Sequence, residues 1–301
     1  EPGDQLTEIS SLRNSPFFSP SAVSHQDFIA KVSDRYFQVP GTQTQIGAHI
    51  DPLYVDVTAK TYNWNYSFSD FFVILDYELE NIGTNTIDSA YFGLWANTVV
   101  RNINITPAGS GGAAFYNKGG NGYLDSLQMA YCYDHSGDVG FTNSYVGQKF
   151  LGAEDKNGFQ HPDANPRFNA HYNAWQFNST SDPIFFLPSN DNTRYQKMTR
   201  GLNDQPCWNQ NSNQNSNCGT KSYIQQLNEA GNRSDLISVG PFLDFKPGDK
   251  IKVSYAYIFG RKIDDGNPYT ANTLEQQRVF LANADWAQTA YYGEDVNLNG
   301  L

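Results

Sequence analysis

Charge is scarce in this sequence. Lysine and arginine number 20 against 31 aspartates and glutamates, only 17% of 301 residues together, and the formal net charge is −11. A chain that grips nucleic acid or an anionic membrane needs surplus Lys and Arg to neutralise phosphates, so the balance argues against both partners. Long apolar runs are missing as well. Nothing approaches the roughly 20 consecutive residues of a membrane-spanning helix, so no membrane insertion is expected. No Gly-x-Ser-x-Gly elbow, Cys-x-x-Cys pair, His-Glu-x-x-His or phosphate loop occurs. With them go the usual signatures of serine hydrolases, redox proteins, metalloproteases and nucleotide enzymes. The opening Glu1-Pro2-Gly3-Asp4 has no leader character, so any signal peptide is expected to be already removed or never present.

Aromatic residues, by contrast, are plentiful: 20 Phe, 19 Tyr and 5 Trp, beside 25 Gly. A chain this aromatic and this lightly charged must bury a core. Asn and Gly tolerate positive φ and aromatic rings suit a pleated surface, so strands and turns are favoured. Of the three cysteines, Cys132 sits in the apolar stretch Met129-Ala130-Tyr131-Cys132-Tyr133 and reads as a small buried hydrophobe. Cys207 and Cys218 flank a tract, Trp208 followed by Asn, Gln and Ser over 209–217, that is too polar to pack. A local disulfide would tie its ends and would place the chain in an oxidising compartment; the alternative is two surface thiols on a flexible loop. Asn65-Tyr66-Ser67 and Asn178-Ser179-Thr180 are glycosylation sequons, relevant only in a host that glycosylates.

Period-two alternation dominates the body. Phe71, Val73, Leu75, Tyr77 and Leu79 fall on one face of a strand, with Asp76, Glu78 and Glu80 on the other. A second strand around Ala90–Trp95 follows the turn-rich 81–86, and the pair reads as a hairpin with one wet face. Glycines crowd 107–122, which reads as a loop without nucleotide-binding spacing. Strands resume over 124–133, 145–151 and 184–187, with a long Asn/Asp/His loop over 154–173. The turn Lys246-Pro247-Gly248-Asp249 joins 236–245 to a return strand on which Ile251, Val253, Tyr255, Tyr257 and Phe259 alternate, as in a hairpin. One helix is expected from Thr273 to about Tyr291, capped by Asn272 or Thr273. Its docking stripe is Leu274, Gln277, Leu281, Ala284 and Gln288, widened by Phe280, Ala287 and Tyr291. The expected fold is all-β: an antiparallel, jelly-roll-like β-sandwich with long loops and one C-terminal helix. The expected organisation is an extended arm over 1–48, a sandwich domain over 49–292, and the start of a calcium-loop-like tail over 293–301.

Two blocks carry a resemblance. The first is Ser69-Asp70-Phe71-Phe72-Val73-Ile74-Leu75-Asp76-Tyr77-Glu78-Leu79-Glu80-Asn81-Ile82-Gly83, followed by Tyr91-Phe92-Gly93-Leu94-Trp95. The second is Ser238-Val239-Gly240-Pro241-Phe242, then Pro247-Gly248-Asp249, the Tyr-rich strand and the Ala/Asn-rich helix. Together they resemble the large uncharacterised β-sandwich regions of secreted bacterial proteins, often cargo of the type IX secretion route, over roughly residues 50–300. The resemblance implies a secreted or cell-surface protein and carries no chemistry. Related proteins often place an aspartate-rich segment after the Gly-Leu-Trp strand. Here 96–101 contains no carboxylate, which argues against a metal site at that point.

The sharpest ligand motif is Asp295-Val296-Asn297-Leu298-Asn299-Gly300. Asp295, Asn297 and Asn299 occupy positions 1, 3 and 5 of a calcium loop, and Gly300 supplies the turn. The twelfth-position carboxylate falls past Leu301; the resemblance implies that such proteins continue into Asp/Asn/Gly repeats that complete it, and otherwise the segment is a polar tail. Asp134 and Asp138, in Asp134-His135-Ser136-Gly137-Asp138, form a weaker calcium candidate, since Asp and Gly are equally the residues of a hairpin tip. Asp264-Asp265-Gly266-Asn267 shares that ambiguity. His161, Asp163 and His171 could form a metal triad, though surface polarity explains them more simply.

Tyr62, Trp64 and Tyr66 alternate and, with Tyr172 and Trp175, offer rings edged by Asn for stacking on sugars. The same spacing suits a sandwich core, the simpler reading. No catalytic residue is assigned. The expected function is a non-enzymatic extracellular module of a larger secreted protein, structural or adhesive, with calcium as its one cofactor. Its rivals are a carbohydrate-binding module, a polysaccharide hydrolase with paired carboxylates, and a filament subunit whose arm adds to a neighbour's sheet. Expected partners are accordingly a glycan or a neighbouring surface protein, or further copies of the chain through that arm.

Overall fold

The computed structural model describes residues 6–47, 49, 51–100, 118–135, 142–160, 170–176, 179–208, 218–268 and 270–293. Twelve strands run through them: β1 (Thr7–Ile9), β2 (Gln26–Ser33), β3 (Val55–Asn63), β4 (Phe72–Asn81), β5 (Ile87–Ala96), β6 (Gly119–Leu124), β7 (Met129–Asp134), β8 (Ser144–Asp155), β9 (Gly158–Gln160), β10 (Ala170–Gln176), β11 (Arg233–Phe245) and β12 (Lys250–Arg261). Three helices accompany them: α1 (Asp191–Thr199), α2 (Tyr223–Leu227) and α3 (Leu274–Tyr292). The strands form two antiparallel sheets. One is ordered β1-β2-β3-β4-β12-β8-β7-β6 with β9 added to β8; the other is β10-β11-β5. The all-β, sandwich-like class with a C-terminal helix is therefore present. No helix among the described residues is long and apolar enough to cross a membrane.

The chain divides into two compact units, and neither ends at residue 48. The first comprises Glu1–Ala90, Leu151–Phe168 and Gly240–Ala256. Its strands show why alternation matters. The β3–β4 register sets Val57 against Leu79, Ala59 against Tyr77 and Thr61 against Leu75, while Asp56, Thr58 and Lys60 face Glu80, Glu78 and Asp76. Lys250 pairs with Glu78 at 2.7 Å on that charged face, and Ser254 donates to Asp76 at 2.6 Å. The segment expected as an extended arm contains two strands. β2 pairs along its length with β3, and β1 with β2. β2 is thus paired on both sides, and the three-residue β1 stands at the edge of the sheet.

Neither expected hairpin forms. β4 lies beside β12, whereas β5 and β11 belong to the other sheet. Asn81 explains the switch: its N–H donates to Asp249 O, its carbonyl accepts from Gly248 N–H, and its Nδ2 donates to Phe245 O at 2.8 Å. The end of β4 thus occupies the hydrogen-bonding positions at the Pro247-Gly248 turn that a β11–β12 hairpin would use.

The second unit comprises Tyr91–Phe150, Asn169–Val239 and Tyr257–Leu301. Here the two sheets face one another: the Tyr123 ring of β6 stacks on Tyr172 of β10, centroids 4.6 Å apart. Part of the glycine-rich segment is strand β6, not loop. A Cβ on Gly120 would lie 2.6 Å from the Tyr133 ring, and one on Gly122 would collide with the Tyr131 ring, so only glycine lets these aromatics lie across the strand. Residues 184–187 form no strand, yet Ile184 and Phe185 are buried. The loop expected over 154–173 contains β9 and the start of β10. Helices α1 and α2 lie where the sequence reading expects no helix, although Asn190 with Thr193 and Ser222 with Gln225 make capping boxes.

Thr273 caps α3, accepting from Gln276 N–H. The buried face of α3 is Gln276, Gln277, Phe280, Asn283, Ala284 and Ala287, whereas Leu274 is 73% exposed. The expected stripe was thus rotated toward Leu274. Phe280 decides the true rotation by filling the space that Gly147 and Gly260 leave open. Along β12 burial runs through Val253, Ser254, Tyr255 and Ala256 and then continues at Ile258 and Gly260, the positions facing α3, leaving Phe259 exposed.

Candidate functional site

The aromatic candidates separate into two groups. Tyr62, next to last in β3, is half-buried, and burial with the nearby carboxylates of Asp76 and Asp27 pushes its phenol well above the ordinary tyrosine range. Trp64 follows at 6.4 Å, also half-buried. Beyond it the backbone turns sharply. Buried Ser69 donates to the carbonyls of Trp64 and Tyr66 and accepts from Tyr66 N–H, which staples residues 64–69 into a tight projection. The projection turns Tyr66 and Phe68 outward, 48% and 45% exposed, with rings stacked at 5.4 Å and 10°. Phe71, three residues on in the chain, is 50% exposed. Asn65 N–H donates to His25 Nδ1, which makes Nε2 the protonated nitrogen of the neutral ring and lets it donate to Tyr66 Oη at 3.2 Å. The result is a flat aromatic surface with polar edges, in which Phe68 and His25 were not anticipated.

Tyr172 and Trp175 do not join it. On β10 both are core residues, 0% and 7% exposed, and a sugar cannot stack on them. Tyr172 instead donates to buried Asp235 Oδ1 at 2.5 Å, and Asn121 donates to Oδ2 at 2.7 Å. Burial pushes the Asp235 carboxyl up to about 7, against these two donors and nearby Arg233. Arg233 donates to the carbonyls of Gln226, Leu227 and Glu229 and lies over the Phe185 ring. The thiol of Cys132, also buried, is raised by desolvation and by Asp235. Tyr172, Asn121 and Asp235 thus satisfy one another, whereas buried Arg233 Nε has no hydrogen-bond partner among the described residues.

Cys207 and Cys218 form the disulfide. Closing a loop of that separation removes about 3 kcal/mol of denatured-state entropy in the chain-entropy account. Of the metal candidates, Asp295, Asn297, Asn299 and Asp138 lie outside the described residues, as do His161 and Asp163. Asp134 is buried at the end of β7. Among the described residues, no group of three His, Cys, Asp or Glu is placed to hold a metal ion. Asp265 is a helix-capping group: it accepts from Thr273, Gln276 and Asn267, and these bonds hold its carboxyl well below the usual range.

A second arrangement, invisible in the sequence, centres on Asn272, whose φ of 54° is left-handed. Its Nδ2 donates to Tyr131 Oη at 2.9 Å and Asn228 Oδ1 at 3.0 Å. Its Oδ1 accepts from Tyr145 Oη at 3.0 Å and Gln277 Nε2 at 2.8 Å. Buried Lys262 places Nζ over the Tyr133 and Tyr145 rings at 4.6 and 5.5 Å, and desolvation lowers it to about 8 against Asp134 and Asp265. Burial and then Lys262 hold the imidazole of His135 below its ordinary range. Four short segments far apart in sequence supply this cluster, so no spacing rule could reveal it. No family model and no curated protein matches the chain.

Proposed function

We propose that the chain is a non-enzymatic extracellular β-sandwich module of a larger secreted protein, with an adhesive role. One observation carries the reading: the outward stacked pair of Tyr66 and Phe68, held on a turn stapled by Ser69. Exposed ring surface that the fold holds rigid is available for contact at little conformational cost. The disulfide across a polar tract supports an oxidising compartment, and the resemblance to secreted bacterial sandwich regions agrees with that. A carbohydrate partner is favoured over a protein by the polar edge that His25 and Asn65 add to the rings.

The test is a pull-down on insoluble cellulose, chitin and mannan with the full chain and with Tyr66→Ala/Phe68→Ala. Removing two stacking rings is expected to lower binding by about tenfold or more, with the melting temperature unchanged. Retention of binding by the double variant would overturn the role given to this surface. The reading also assigns calcium to Asp295, Asn297 and Asn299. Thermal melting in millimolar calcium is then expected to exceed melting in chelator, because a ligand of the native state alone raises stability; equal midpoints would remove the calcium claim.

A further inference from the structure

We propose that two copies of this chain associate as a two-fold dimer through an uncharged apolar face of the first unit, where β2 ends and β3 begins. Val32, Phe37, Val39, Ile46, Leu53 and Tyr54 form it. The dimer needs neither the Tyr66 surface nor any ligand. All six residues are exposed, from 37% for Ile46 to 64% for Leu53. At roughly 150–250 Å² for a whole large side chain, they leave about 500 Å² of apolar surface in water. A patch of that size is large for a monomer and commonly marks an interface.

Asp34 assembles the face. It follows β2, and its carboxylate accepts from the N–H groups of Leu53 and Val55 at 2.6 and 2.7 Å. That grip holds Tyr54 between them at a φ of 57°, a left-handed conformation that tyrosine adopts only under constraint. The Asp34 carbonyl accepts from His49 Nε2, and the His49 ring lies 6.1 Å from that of Phe37. Residues 37–46 fold back on themselves, with Ile46 N–H donating to Phe37 O and Val39 N–H to Thr44 O, both at 2.9 Å. Between Arg35 and Gln45 this loop leaves an open recess of about 630 Å³, while Leu53 and Tyr54 stand out on the segment that Asp34 grips. One face thus carries both a hollow and a projection, as a contact between two identical faces requires.

Charge selects the partner. The chain carries −11 overall, so two copies repel unless the surfaces that meet are free of carboxylates. From Tyr36 through Ile50 there is no Asp, Glu, Lys or Arg. The two charges just before that stretch are engaged, Asp34 on backbone N–H groups and Arg35 on Asp56. Exposed Lys31 and Asp51, which flank the face in the chain, are opposite in sign. Two such faces bury about 1,000 Å² of apolar surface, and with their polar margins they reach the roughly 1,200–2,000 Å² of a stable interface. An anionic membrane is a poorer match, since Asp51 and Asp56 balance the flanking cations. The face lies at the opposite end of the β2–β3 pair from Tyr66, because Ser33 pairs with Asp56 and Gln26 with Asn63. A dimer therefore leaves both Tyr66 surfaces free to bind one polymer with avidity, a consequence that alone rests on the adhesive reading.

The experiment is sedimentation velocity of the full chain from about 1 to 100 μM. The mass is expected to rise from 33.7 kDa to twice that value and to stop there. Val39→Asp sets a carboxylate from each copy into the contact and is expected to weaken the dimer by about 100-fold or more. Leu53→Ser is expected to weaken it by about tenfold. Both residues are exposed, so the circular dichroism of each variant is expected to match the wild type. Tyr66→Ala/Phe68→Ala is expected to dimerise as the wild type does, so the adhesive surface and the dimer are tested separately. The proposal is overturned if the wild type stays monomeric throughout, if it floats as a monomer with phosphatidylcholine vesicles, if assembly continues past two copies, or if either Val39→Asp or Leu53→Ser dimerises as tightly as the wild type.

Discussion

Phe280→Ala is expected to destabilise the second unit by about 3–5 kcal/mol, the range for a buried aromatic truncated in a core that cannot collapse around the loss. Phe280 is 0% exposed, stacks on Tyr145 at 5.3 Å and meets Tyr131 at 6.0 Å. Two strands have given up side chains to admit it. A Cβ on Gly147 would lie 2.6 Å from its ring, and one on Gly260 would lie 2.5 Å from its Cα. The surroundings are backbone and rigid rings, so little can move into the cavity. Gly260→Ala should be nearly as damaging for the opposite reason, because the α3 backbone itself must shift. Denaturant unfolding of each variant measures both effects. A loss below about 1 kcal/mol for Phe280→Ala would mean that α3 is not docked as described.

Lys197→Met is expected to raise stability at neutral pH by roughly 2–4 kcal/mol, an unusual direction for a core substitution. Lys197 on α1 is 2% exposed; its ammonium lies 4.0 Å from the centre of the Phe186 ring and reaches Ala174 O only at 3.5 Å. Burial, helped by Arg200 and opposed by Asp182, lowers it from 10.5 to about 7. Methionine keeps an unbranched apolar stem one atom shorter and removes the amine. The pH dependence identifies the cause. Between about 7 and 10.5 the unfolded chain binds the proton more readily than the folded one, so stability rises with pH across that window. Below 7 both states carry the proton and the full burial cost remains. The wild type should therefore gain on Lys197→Met as pH rises from 7 to 9.5, in melts of the two proteins side by side. A constant difference between them would show that Lys197 is not buried as a titrating amine. Asp235 acts in the lower window: with its carboxyl raised from 3.8 to about 7, it lowers stability as pH rises between those values.

Particular residues show how much the sequence could say. Alternation from Val73 to Leu79 marked β4 to within a residue, Thr273 marked the start of α3, and the polar tract between Cys207 and Cys218 marked the disulfide. Each is a local matter: a period, a cap, a short closure. The cluster around Asn272 and the burial of Lys197 and Asp235 left no comparable trace, because their partners come from strands and helices up to 146 residues apart, as Gln277 and Tyr131 are. The surface at Tyr66 was half legible. Spacing named Tyr62, Trp64 and Tyr66, but only the Ser69 staple turned Tyr66 away from the core and brought Phe68 and His25 beside it.

Local periodicity and capping marked β4, β5, β7, β8, β11 and β12, where the long helix begins, and which residues share a strand face. Tertiary structure alone decided which strand each one pairs with and which face is covered. Asn81 closing on the Pro247-Gly248 turn sent β5 and β11 to the second sheet, and Phe280 lying on Gly147 and Gly260 decided which side of β12 is covered at its end. The physical reason is that alternation fixes the direction of a side chain relative to its own backbone, whereas burial depends on what another segment places against it.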